Sequence, residues 1–239
     1  MQTSTKILIY LAVWRRPKIT ELCFAGIERL RRSFNIEALA VISEESMIPL
    51  CEKYGVMWVM HSNDWLGKKK NYGLQKAKEI DFDYLMEIGS DDLVLNELIE
   101  DYIENYVGKY DFFGVSDCLW VDTLFGSARR IQSTATYGAG RMISRKALEE
   151  VGWKMWTDCI NRGMDNNSIF NFQRKKIKYQ RVNPIGFPCV IDVKSDENIW
   201  KFDYFRGVEY DISNILDKLS DKERKILEEC YDKNNTSEA

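Results

Sequence analysis

The sequence holds a single histidine, His61, so any mechanism needing two imidazoles is excluded, many metallohydrolase schemes among them. Its six cysteines, Cys23, Cys51, Cys118, Cys159, Cys189 and Cys230, form no CxxC pair and have no histidine beside them, which argues against structural zinc. Met1–Thr5 lacks the charged and apolar regions of an export signal, and a chain of 239 residues needs no disulfide staples, so reduced core thiols are expected. Long hydrophobic runs are also missing. The longest, Ile7 to Trp14, has 8 residues, whereas a membrane-spanning helix needs ~20. Nor is there an excess of one charge: Lys plus Arg is 34 against 37 for Asp plus Glu, a net charge of -3, which gives no global drive toward a polyanion. The expectation is a soluble cytoplasmic protein, with peripheral attachment the only membrane association left open. The four prolines mark no interdomain linker, so a single domain is expected.

What is present is core-forming material. Hydrophobic residues make up 45% of the chain, with 7 Trp, 12 Tyr and 11 Phe, which excludes a disordered chain. Residues 6–13 (KILIYLAV), 36–42 (IEALAVI), 56–60 (VMWVM) and 84–88 (YLMEI) read as strands. Helical patterns follow each, after Pro17, over about 45–54, over about 67–80 and near 97–107. Four such units predict an α/β fold with a mainly parallel, doubly wound sheet. Beyond Asp111 the rhythm is mixed. A strand over 111–120, another over 141–144, a short helix ending near Gly152, a helix from about Asp165, strands over 177–182 and 187–193, and an amphipathic helix over about 212–230 are expected.

In an open parallel sheet, ligands bind beyond the carboxyl ends of the strands. Those ends read Trp14-Arg15-Arg16, Ser43-Glu44-Glu45, His61-Ser62-Asn63-Asp64 and Gly89-Ser90-Asp91-Asp92. Asp91 and Asp92 suit a hard cation, Mg2+ or Mn2+, whose shell substrate phosphate would complete, with the small Gly89-Ser90 pair leaving room for a ligand at the backbone. They equally suit a helix N-terminus. Gly67-Lys68-Lys69-Lys70-Asn71 puts three lysines at a helix start, where free N–H groups favour a diphosphate; a solvated lysine face is the plainer meaning. His61 beside Asp64 could touch a nucleotide or simply lie in an exposed loop. Among Trp120, Tyr137, Trp153, Trp156, Trp200 and Tyr204, Trp153 and Trp156 are candidate acceptor contacts, although most of these rings are expected in the core.

The stretch from Gly67 to Asp92 (GKKKNYGLQKAKEIDFDYLMEIGSDD) resembles nucleotide-sugar glycosyltransferases of the GT-A fold, especially the family 2 group. Gly138–Trp153 (GAGRMISRKALEEVGW) is similar to that group's small-residue strand and following helix, and Gly163-Met164-Asp165 to its catalytic acidic site. The resemblance covers about residues 5–195. It implies a mostly parallel mixed sheet flanked by helices, with a nucleotide-binding half over about 5–110, an acceptor half over 111–195 and a C-terminal helical extension over 196–239. It implies sugar transfer to an acceptor hydroxyl from a nucleotide-diphosphate sugar, a UDP-sugar being favoured, with Mn2+ or Mg2+ and inversion at the anomeric carbon. The acceptor is a glycan, lipid or protein that the resemblance does not name.

Carried onto this chain, the resemblance makes Asp91 the leading metal ligand and Asp92 a supporting or alternate one. It places Trp14, Arg15, Ser43, Glu44, Lys68, Lys69 and Asn71 at the donor nucleotide, and makes Asp165 the general base, a helix cap being the competing reading. Lys194 is a donor-site candidate, and it is weighed with Asp192 and Asp196 in place of the late histidine that some relatives use at the metal. Gly89 stands where the group has aspartate, and Met164 where it often has glutamate. A nucleotidyltransferase, or a non-catalytic nucleotide- or sugar-binding protein on the same fold, are the alternatives.

Overall fold

The computed structural model describes residues 5–124, 126–133, 137–182, 185–195, 202 and 206–235, with side chains through residue 231. The chain opens with β1 (Lys6–Val13), α1 (Pro17–Arg31), β2 (Asn35–Ile42), a 3-10 turn at Glu45–Met47, α2 (Ile48–Lys53), β3 (Met57–Met60), α3 (Leu66–Ala77) and β4 (Tyr84–Gly89). It continues with β5 (Asp92–Val94), α4 (Asn96–Asn105), β6 (Phe112–Gly114), β7 (Asp117–Asp122), β8 (Ala128–Gln132), β9 (Arg141–Ser144), α5 (Arg145–Glu150) and α6 (Met164–Arg174). β10 (Gln180–Arg181), β11 (Val190–Lys194), β12 (Val208–Glu209), α7 (Ser213–Leu216) and α8 (Asp221–Asn235) complete it.

β1 is a continuous apolar run because both of its faces are covered, as expected for a central parallel strand. Ile7, Ile9, Leu11 and Val13 face the layer that includes α1, while Leu8 and Tyr10 face Leu74 of α3, Trp153 and Trp156. Seven strands form the main sheet in the order β10-β6-β9-β4-β1-β2-β3. β9 runs antiparallel to β4 and β6, and every other neighbouring pair is parallel. A second sheet has the order β12-β8-β7-β11-β5.

Three expectations are corrected. The single strand over 111–120 is two strands in different sheets, β6 in the first and β7 in the second. The chain crosses over just after Gly114, where a Cβ would lie 2.9 Å from Tyr179 Oη and 3.0 Å from Arg141 Cγ. Asp91 and Asp92 do not begin a helix: Asp92 opens β5, which pairs antiparallel with β11, and α4 starts only at Asn96. The helix over 212–230 is α7 and α8, divided where Ser220 and Glu223 form a reciprocal cap. In that cap the Ser220 N–H and hydroxyl donate to Glu223 Oε2 at 2.8 and 2.7 Å, and the Glu223 N–H donates to Ser220 Oγ at 3.3 Å.

The C-terminal helix is tied inward by charge. Glu223, fully buried, pairs with Arg29 of α1 at 2.9 Å, and the same guanidinium donates to the Val94 carbonyl of β5 at 2.8 Å and to Asn96 Oδ1. No helix among the described residues is long and apolar enough to cross a membrane.

Candidate active site

The pairing of β5 with β11 builds the centre of the site. Its register sets Asp92 opposite Asp192, and Asp91 immediately precedes β5, so carboxylate oxygens of Asp91, Asp92 and Asp192 lie within 4.8 Å of one another. Like charges directly opposed across a strand pair are destabilising, so the arrangement calls for cations. Two are built in. Arg16, just past β1, donates from Nη1 to Asp91 Oδ2 at 2.9 Å and from Nη2 to Ser90 Oγ at 3.3 Å. Lys194 donates to Asp192 Oδ2 and lies 4.1 Å from the Trp120 ring centroid.

The three carboxylates are electrostatically distinct. Burial pushes Asp91 up, but Arg16 and then Lys194 outweigh it and hold the carboxyl below its ordinary range. Asp92 is pushed well above that range by burial, by Asp192 and by Asp91. Asp192 is raised to about 6, burial outweighing its bond to Lys194. Despite Arg16 and Lys194, the buried Asp192 Oδ1 has no hydrogen-bond partner. An orphaned carboxylate oxygen among three hard donors fits Mg2+ or Mn2+. Of the three late candidates, Asp192 joins the cluster directly, Lys194 joins it as a counter-charge, and Asp196 lies outside the described residues.

Gly89 does not leave room for a ligand. The Asp91 and Asp92 carboxylates fold back over it, and a Cβ there would be 2.6 Å from Asp91 Oδ1 and 2.8 Å from Asp92 Oδ2. The Gly89 N–H donates to Asp92 Oδ2. Aspartate at position 89 is incompatible with this arrangement of the next two.

A second group gathers at the ends of β1 and β2. The Arg15 N–H donates to Glu44 Oε2 at 3.3 Å, and its guanidinium lies 4.4 Å from the centroid of the exposed Trp14 ring. Lys69 donates to the Val13 carbonyl at 2.6 Å and to Asn63 Oδ1 at 3.3 Å. Burial lowers the Lys69 ammonium to about 8 against the opposing pull of Glu44. The Ser43 hydroxyl is buried without a partner. Trp14, Arg15, Ser43, Glu44 and Lys69 therefore share one end of the sheet, with an aromatic face and an unused hydroxyl.

Lys68 and Asn71 do not join them. The first turn of α3 is covered by residues 158–161, which correct its reading as an open anion site: the N–H groups of Leu66, Gly67 and Lys68 donate to Asn161 Oδ1, the Ile160 carbonyl and the Asp158 carbonyl at 2.7, 3.0 and 3.1 Å. A Cβ at Gly67 would overlap the Thr157 carbonyl. Asn71 clamps the same segment, donating to the Trp156 carbonyl at 2.6 Å and to Asp158 Oδ1 at 2.8 Å. Lys68 is exposed, and its charge acts on Asp158.

Asp165 occupies the first turn of α6 and is not its cap, which is Gly163 in the left-handed region at φ 67°. The turn is anchored from the sheet: buried Arg141 donates to Ser168 Oγ at 2.6 Å, and that hydroxyl donates to the Asp165 carbonyl at 2.9 Å. A Cβ on Gly138 would lie 2.6 Å from Asp165 Oδ1 and 3.4 Å from Glu87 Oε1, so Gly138 separates two carboxylates. Sequence reasoning passed over Glu87, which sits in the apolar run of β4. It pairs with Lys70 and leaves Oε2 buried without a partner. Tyr137 links the regions: its hydroxyl is raised by burial first and then by charges that include both Asp192 and Asp165.

Of the candidate acceptor rings, Trp153 packs edge-on against Phe82 at 6.1 Å and Trp156 covers Lys70 at 4.2 Å, both buried. They are core. Trp120 is buried as well, and Trp200 and Tyr204 lie outside the described residues. His61 packs at 4.8 Å against the partly exposed Tyr72 ring. A surface cavity of about 600 Å³, lined by residues that include Lys154, Trp156, Asn171 and Arg174, shares no lining residue with either rim group.

No family model and no curated protein sequence matches the chain. Among solved structures, residues 1–349 of TarS from S. aureus align with 79% of this chain at a TM-score of 0.56 and 11% identity. TarS 1–349 in complex with UDP aligns with 80% at 0.56 and 12%, and the catalytic domain of Drosophila β1,4-galactosyltransferase 7 in complex with xylobiose with 77% at 0.51 and 12%. The aligned region spans 60%, 61% and 67% of those chains in turn. A mostly parallel sheet flanked by helices, with the acidic group at its carboxyl rim, is common ground with these neighbours, and the chain adopts the GT-A glycosyltransferase fold.

Proposed function

We propose that the chain is a metal-dependent, inverting glycosyltransferase that moves a sugar from a nucleotide-diphosphate sugar, a UDP-sugar first among them, to an acceptor hydroxyl. The observation that carries this reading is the Asp91–Asp92–Asp192 cluster at the carboxyl rim of a GT-A sheet, with an unpartnered carboxylate oxygen and the Asp165 side chain across Gly138. The UDP complex of TarS supports the choice of nucleotide.

Asp91, Asp92 and Asp192 would hold the divalent ion, which supplies positive charge where the diphosphate leaves. Trp14, Arg15, Ser43, Glu44 and Lys69 would receive the nucleoside, Ser43 through its unused hydroxyl. In the transfer step the acceptor oxygen bonds to the anomeric carbon while its proton passes to Asp165. The bond from that carbon to the diphosphate oxygen breaks, and its electron pair leaves on the diphosphate. A positioned base contributes ~10² to 10⁴-fold, which sets the scale expected for Asp165.

The test is a thermal-shift panel of UDP, GDP, CDP and dTDP with and without Mn2+, on wild type and Asp91→Ala. At ~100 times its dissociation constant a ligand adds ~2.7 kcal/mol of stability. One diphosphate should stabilise the wild type with metal, and Asp91→Ala should lose the effect. No shift with any diphosphate would remove the reading, and binding without transfer from the matching nucleotide sugar would leave a non-catalytic binding protein.

A further inference from the structure

Arg16 is the residue of the rim that neither the donor cluster nor the base accounts for. Its backbone and that of Arg15 are left-handed, at φ 53° and 55°, two consecutive non-glycine residues in a region that side chains with a Cβ rarely enter. Such geometry persists only where the surroundings impose it, and it clusters at ligand clamps and switches. Here Glu44 accepts the Arg15 N–H, Pro17 fixes the next φ at the first helical position, and the Arg16 guanidinium is drawn across the rim to Asp91 and Ser90. A relaxed loop would not deliver Arg16 there.

The guanidinium holds Asp91 Oδ2, in the same carboxylate cluster that would take the divalent ion. Two cations cannot both draw fully on one carboxylate, and arginine's planar fork fits a phosphate as well as a carboxylate. No side chain caps the first turn of α1, beside which Arg16 stands, so released Arg16 would meet an anion in a favourable field.

Resting on the proposed glycosyltransferase reading, we propose that Arg16 is an exchangeable counter-cation: it occupies Asp91 until a divalent ion takes that carboxylate, and then turns to the donor diphosphate. Arg16 thus weakens binding of the bare ion and strengthens binding of the ion together with the nucleotide. The site fills preferentially when both arrive.

The experiment is calorimetric titration of wild type, Arg16→Gln and Arg16→Lys with Mn2+ alone and with UDP plus Mn2+, with a melting curve for each. Arg16→Gln is expected to bind Mn2+ alone at least about tenfold more tightly and UDP with Mn2+ about tenfold more weakly, the size of one charge-assisted hydrogen bond in each case. Arg16→Lys should stay near wild type for the bare ion and lose affinity for UDP. A residue that only braces the loop would weaken both ligands or neither, and either result overturns the proposal. Should Arg16→Gln fail to fold, the side-chain 15N signal of Arg16 in wild type, assigned by its loss in Arg16→Lys, decides. Mg2+ alone should loosen it and UDP should restore its protection, whereas protection throughout overturns the exchange. If UDP fails to bind wild type with or without metal, the glycosyltransferase reading falls and takes this inference with it. If UDP and Mn2+ bind but the variants match wild type, the inference alone falls.

Discussion

At the scale of single residues, Gly138 does more than turn the chain. A methyl group there would press on Asp165 Oδ1 from 2.6 Å without touching the donor-side residues. Gly138→Ala is therefore expected to lower the transfer rate by about 10²-fold, the lower end of what a displaced base costs, while UDP affinity in a direct titration stays within about twofold. An equal loss in both would mean that Asp165 serves the donor instead. Lys69 carries a pH signature. Its folded pKa, about 8, lies below the ordinary lysine value of 10.5, so the folded state binds fewer protons than the unfolded state between those limits. Stability then rises with pH across that window, by on the order of 1 to 3 kcal/mol. Lys69→Met should abolish the rise in denaturant unfolding from pH 8 to pH 10.5, and an unchanged slope would assign it to another group.

The residues that were legible at this scale were those next to strong local signals. Asp91 and Asp92 follow an apolar strand, and Asp165 follows a glycine that ends one element and starts another. Arg16 was passed over because only its left-handed backbone aims it at Asp91, and no neighbour in sequence encodes that. Glu87 hid inside YLMEI, where one acidic residue in an apolar run carries no pattern. Lys68 and Asn71 matched a motif but turn toward residues 156–158, a contact made across more than eighty positions.

At the scale of elements, strand and helix alternation was readable through β4, since each parallel strand is a run of buried residues followed by a periodic helix. Readability failed where the chain changes sheets. β5 has three residues and β10 two, too short for alternation to register, and yet β5 sets Asp92 against Asp192. Docking of α3 against residues 157–161 is similarly non-local and leaves only Gly67 as a trace. Adding a side chain there must separate the two segments, so Gly67→Ala is expected to cost about 2 kcal/mol or more in denaturant unfolding, at the upper range for overpacking a well-fitted contact. Tolerance of that change would mean that the segment is free to move. Arg29 and Glu223 join α1 to α8 through a buried pair, and removing one partner of such a pair strands the other charge. Glu223→Ala should destabilise the protein by about 3 to 5 kcal/mol by chemical denaturation. A loss below about 1 kcal/mol would place the pair among exposed bridges.

At the scale of the whole molecule, the net charge of -3 gives no long-range attraction for an anionic donor, so recognition falls to cations held locally at the rim. The Arg29 guanidinium also reaches the Val94 carbonyl, the last residue of the strand that begins with Asp92. Through that bond the final helix, far from the rim in sequence, bears on the strand register of the acidic cluster. The consequence is kinetic as well as structural: amide protons of residues 92–94 and of α8 should exchange with solvent as one cooperative unit, opening together and slowing together when metal and nucleotide bind.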